Sequence, residues 1–160
     1  MIVVDPLTSS IFSQLSILIS KKKFAEVIQM IKKVTKLLVI PATLFVSLSI
    51  LLREKVIIFA YGIEYIEASD PFVVLVINAI VSAVLFWNRP LLESINLVKF
   101  RFYLNAISLV IGAVVAYITI PIVGSIGVAF GLLIANGLAS IVSSLVAYNK
   151  TKNAIHEFTK

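Results

Sequence analysis

The chain has 160 residues, of which 60% are hydrophobic and only 14% charged, and its mean hydropathy is +1.07. A soluble domain of this composition would lack the polar surface to cover itself, so the sequence predicts an integral membrane protein. The net charge of +6 would suit nucleic acid, but the basic residues occupy short gaps between apolar runs. Their expected use is topological, and no nucleic-acid partner is expected.

Lipid offers no partner to an unpaired backbone N–H or C=O, so the spans must be helices or a closed barrel. Long unbroken apolar runs, rather than short alternating strands, predict helices. The expected fold is therefore all-α and lies in one membrane domain over residues 1–160. In chain order it begins with a short apolar stretch at residues 7–20, read as the end of a helix whose beginning is missing. Asp5 and Pro6 stand where a basic leader would begin, so no cleavable signal peptide is expected.

Residues 22–36 follow, with Phe24, Val27, Ile28 and Ile31 at helical spacing and Lys32, Lys33 and Lys36 elsewhere. This pattern predicts an amphipathic helix lying on the inner membrane surface. Four full transmembrane helices are expected at residues 34–52, 71–95, 102–121 and 126–148, each near the roughly 20 residues that cross hydrocarbon. Residues 149–160 form a polar tail.

The positive-inside rule orients these spans. Placing the segment after Ser20 in the cytoplasm gathers Lys21, Lys22, Lys23, Lys32, Lys33, Lys36, Arg89, Lys99, Arg101, Lys150, Lys152 and Lys160 on that side. Only Arg53 and Lys55 remain outside. A multi-pass protein of the cell membrane with a cytoplasmic C-terminus is expected.

Polar residues inside a span are costly unless they face protein or water. In the second span Asn78, Ser82, Arg89, Glu93 and Asn96 fall within about 60° of one another at about 100° per residue, a one-sided stripe. This stripe is the candidate substrate path, with Arg89 suited to a phosphate and Glu93 placed one turn away to pair with it. Pro90 is expected to kink the helix nearby. In the third span Asn105, Ser108, Gly112 and Thr119 share a narrow face. In the fourth, Gly127, Gly131 and Ala135 form a small-xxx-small ladder, continued by Asn136, Ser140 and Ser143. For these two spans the expectation is helix packing.

No enzymatic signature stands out, whether a phosphate loop, a zinc-protease motif or a convergent nucleophile set. No catalytic residue is assigned. The chain has no cysteine and one histidine, His156, so neither a metal site nor a cofactor is expected.

The order of landmarks resembles the polysaccharide and lipid-linked oligosaccharide flippases of the multidrug/oligosaccharidyl-lipid/polysaccharide exporter superfamily. "PLTSSIFSQLS" runs into a basic helix, and Pro41 stands near the start of the next span in "VIPATLFVSL". Gly62, Tyr65 and Ala68 match Gly-x-x-Tyr-x-x-Ala, and "RPLLESINLVKFRF" is similar to the family's descent into an inner turn, with Asn96 and Leu97 where small residues are common. Pro121, Gly124, Gly127 and Ala129 resemble Ile-Pro-x-x-Gly-x-x-Gly-x-Ala. The resemblance implies a partial half-bundle of the MATE-like flippase fold, corresponding to the C-terminal part of a two-fold repeated transporter. It also implies a lipid-linked saccharide as substrate, moved by alternating access, with Arg89 toward its phosphates. Either a missing N-terminal half or another copy of the chain would complete the path. Two other readings stand beside it: a cation-coupled multidrug exporter using Glu93, and a non-transporting membrane scaffold or inert remnant using the small-residue ladder.

Overall fold

The computed structural model describes residues 13–158, and among these every regular element is helical. Helix α1 covers residues 13–20 and α2 runs over Phe24–Tyr61. A 3₁₀ turn at Ile63–Ala68 leads into α3, Ser69–Val84. Then come α4, Asn88–Ser94, α5, Val98–Val123, and α6, Ser125–Phe158. Among the described residues four stretches are long and apolar enough to cross a membrane: Phe24–Tyr61, Ile63–Ser94, Val98–Val123 and Ser125–Ala154.

The distribution of side chains is inverted relative to a soluble protein. Large apolar groups such as Leu51, Phe59, Tyr117 and Ile122 are almost fully exposed, while Ser49, Asn88, Ser108, Ser143 and Thr151 are buried. An apolar exterior of this extent is stable only against lipid. The protein is a multi-pass helical membrane protein.

Three departures from the sequence expectation have physical causes. Residues 22–36 are not a separate surface helix: from Phe24 on they are the first turns of α2, continuous with the span that follows, and Lys22 and Lys23 lie in the turn before it. Their apolar stripe meets protein rather than lipid. Val27 and Ile31 are buried with Leu15, Trp87, Leu91, Leu92 and Ala147 in a core at the lysine-rich end of the bundle. Pro41 lies inside α2 without ending it, since hydrocarbon offers no water to solvate a broken turn.

The second span, by contrast, is broken. α3 stops at Val84, residues 85–87 form a turn, and α4 restarts at Asn88. Pro90 cannot donate to the carbonyl of Phe86 and its ring clashes there, so an unbroken helix through this point is disfavoured. After the restart Pro90 occupies the first turn of α4, where an N–H has no intrahelical partner to lose. At the far end of the chain, the polar segment after residue 148 is not a loose tail, for α6 carries it as helix to Phe158.

Gly62 (φ 99°) and Gly124 (φ 60°) end α2 and α5 in conformations that favour glycine. Their N–H groups bond Ile58 O at 2.9 Å and Ile120 O at 2.8 Å. At the lysine-rich end the left-handed turn positions are held by Lys22 (φ 57°) and Asn96 (φ 59°). Asparagine tolerates that region better than most side chains. An ion pair from Arg53 Nη1 to Asp70 Oδ1 at 2.6 Å ties α2 to α3 at the opposite end.

Candidate functional site: a cationic cavity between α3, α4, α5 and α6

The most extensive packing in the molecule is between the antiparallel α5 and α6. Near the opposite end it is close because the facing residues are small. A Cβ built on Gly112 would stand 2.5 Å from Gly131 O and 2.6 Å from Ala135 Cβ. One built on Gly131 would stand 2.5 Å from Gly112 O, and one on Gly127 would meet Thr119 Oγ1 at 2.7 Å. The residues expected to pack helices are thus placed against one another within the chain. The Thr119 hydroxyl bonds back to Val115 O at 2.8 Å.

Toward the lysine-rich end the same two helices carry larger polar residues, and a cavity of about 310 Å³ opens between them. α5 contributes Arg101 and Asn105, while α6 contributes Asn136, Ala139, Ser140 and Ser143. Ser82 of α3, the turn residues Leu85 and Phe86, and Asn88 and Arg89 of α4 complete the walls.

Of the five residues of the second-span stripe, Ser82 and Arg89 line this cavity, whereas Asn78, Glu93 and Asn96 are not among its walls. The Ser82 hydroxyl donates to Asn78 O at 3.0 Å, and Asn78 Oδ1 is buried without a partner. Asn96 sits exposed in the left-handed turn before α5. Arg89 Nε bonds Glu93 Oε1 at 3.1 Å, so the carboxylate holds the guanidinium from one side and leaves its terminal nitrogens available.

Two residues emerge that the stripe did not contain. Asn88 is 4% exposed, and its Nδ2 donates to Ser140 O at 3.2 Å and Ser144 Oγ at 3.3 Å, fastening α4 to α6. Arg101 faces the same cavity as Arg89, and its Nη1 is buried with no hydrogen-bond partner. A buried guanidinium N–H without an acceptor is costly. The site therefore presents two guanidinium groups, three carboxamides and three hydroxyls, with no carboxylate in the wall. Among the described residues no His, Cys, Asp and Glu cluster could hold a metal ion. The donor set suits an anion, and phosphate oxygens above all.

Comparison of the chain with protein-family models, with curated proteins and with solved structures finds no match.

Proposed function

We propose that this protein forms part of a membrane path for a lipid-linked saccharide, with the cavity between α3, α4, α5 and α6 receiving the phosphate that joins lipid to sugar. The single observation that carries this reading is the pair of guanidinium groups, Arg89 and Arg101, in one polar cavity inside an otherwise apolar bundle. Two guanidinium groups in a wall without a carboxylate are favoured where they meet an anionic ligand. The order of sequence landmarks shared with polysaccharide flippases supports the same substrate class. In this reading the protein is a transporter, not an enzyme. The lysine-rich end and the C-terminus lie in the cytoplasm, as the distribution of basic residues favours.

The cavity is partly open rather than enclosed. Further helices, from a companion polypeptide or another copy of the chain, would close it. Two observations weigh against the alternatives. Glu93, the acid a cation-coupled exporter would use, is outside the cavity wall and paired with Arg89. The small-residue ladder that a scaffold would offer to a partner is already occupied inside the chain.

The test is binding and translocation of a fluorescent polyprenyl-diphosphate saccharide in proteoliposomes, by the chain alone and with the product encoded immediately upstream. Binding that is lost in Arg89→Ala and Arg101→Ala, and transport in at least one of the two preparations, is the expected result. Equal binding by wild type and both variants would overturn the proposal.

A further inference from the structure

A second recess lies on the other side of α4, between α2 and α6, and its volume is about 500 Å³. Its walls are apolar along Val39 and Ile40 of α2, and at the lysine-rich end they carry Lys32, Thr35 and Lys36 together with Trp87 and Tyr148. Lys32 and Lys36 are one helical turn apart, so their ammonium groups reach the same mouth. Neither has an ion-pair partner among the described residues.

The polar groups in these walls lack partners. Trp87 is only 6% exposed, and its Nε1 is buried without an acceptor. Thr35 Oγ1 is also buried and unpaired. Hydroxyls on membrane helices ordinarily bond the carbonyl four residues back, as Thr43 does to Val39 O at 2.8 Å and Thr151 to Ala147 O at 2.9 Å. Thr35 does not do so with Ile31. Two cations thus border a largely apolar recess, and two unpaired donors lie buried in the residues that wall it.

We infer that this groove is a binding site for an anionic phospholipid, with the headgroup phosphate at Lys32 and Lys36, beside the unpaired Thr35 and Trp87 donors, and an acyl chain along Val39 and Ile40. The charge is complementary, the unsatisfied donors match phosphate oxygens, and the apolar extension matches a lipid tail rather than a soluble anion. Tyr148, half-buried at this level, fits the headgroup boundary, where such rings concentrate. The site is separate from the Arg89 and Arg101 cavity and stands whether or not that cavity carries a saccharide.

The protein contains its own probe, because Trp87 is its single tryptophan. The purified chain is reconstituted in phosphatidylcholine vesicles with 20 mol % phosphatidylglycerol, in which either one lipid or the other carries brominated acyl chains at matched bromine content. Quenching of Trp87 by brominated phosphatidylglycerol at least threefold above that by brominated phosphatidylcholine is expected. In Lys32→Gln/Lys36→Gln this preference should fall to near one. Lys21→Gln/Lys33→Gln removes the same charge outside the groove and should keep it. Equal quenching by the two lipids in wild type overturns the inference, as does equal loss of preference in both double variants, which would signify general surface attraction. Displacement of the brominated lipid by millimolar inorganic phosphate would also overturn it, in favour of a soluble anion. Should the groove variant fail to fold, the wild-type ratio and the Lys21→Gln/Lys33→Gln variant still decide the outcome.

Discussion

The two halves of the α5 and α6 pair show how one antiparallel contact can serve opposite purposes. Near the Gly124 turn, Gly112, Gly127, Gly131 and Ala135 let the backbones approach closely, leaving no room for a methyl group at any of the three glycines. Toward the lysine-rich end, Arg101 and Asn105 stand across from Asn136, Ser140 and Ser143 around a cavity. Without a hydrophobic drive between helices in lipid, close packing of small residues supplies the cohesion. The tight half can thereby hold the helices together while the open half keeps uncompensated polar groups.

This contrast can be broken most severely at its tight end. Gly131→Leu drives a side chain into the Gly112 carbonyl, and overpacking of this kind costs about 3 kcal/mol or more where the backbone cannot yield. Unfolding of the detergent-solubilised protein in dodecyl sulfate, followed by circular dichroism, should show the loss. An unchanged midpoint would mean that α5 and α6 are not clamped there.

At the open end the expected effect is on binding, not on folding. Arg101→Ala should weaken polyprenyl-diphosphate binding by about 10- to 100-fold, the range for losing a charge-assisted hydrogen bond of about 1.5–3 kcal/mol. Its unfolding midpoint should hold or rise, because a half-buried guanidinium with an unpartnered buried nitrogen is removed. A fall in stability without loss of binding would make Arg101 a structural residue.

Smaller effects sharpen the comparison at its margins. Asn88→Ala removes the two bonds that fasten α4 to α6 and should cost about 1–2 kcal/mol in the same unfolding assay. Glu93→Gln removes an exposed pair one turn apart and should cost only about 0.3–0.5 kcal/mol. Any ion-dependent efflux lost in Glu93→Gln would instead revive the exporter reading.

The membrane character and the four spans were legible because apolar runs of membrane length are nearly independent of tertiary context. The cavity was half legible. Arg101 lies about 40° from Asn105 at about 100° per residue, on the face already marked by Ser108, Gly112 and Thr119. Its place one residue before the apolar run that starts at Phe102 gives it the appearance of a topological charge. Asn88 could not be found by the same arithmetic. Measured from Asn78 along an unbroken helix it falls at about 280°, off the stripe, and only the break after Val84 turns it toward α6. The same break, set by Pro90, means that one helical phase does not relate Glu93 and Asn96 to Asn78 and Ser82. The amphipathic segment was read correctly as amphipathic, but sequence alone does not distinguish a lipid partner from the inner core around Trp87 and Leu91.

The length of α2 has a mechanical consequence. Its 38 residues measure about 57 Å at about 1.5 Å per residue, against about 30 Å of hydrocarbon. Even with the stretch before Lys36 set aside, the remainder is longer than an upright span requires, so α2 must tilt, or stand proud of the bilayer at both faces. The part before Lys36 then projects roughly 20 Å, and the core around Val27 and Ile31 grips that overhang rather than the membrane span. A thinner or thicker bilayer therefore changes how much of this rod stands outside the lipid, and α1 and α4 brace that end by packing against it.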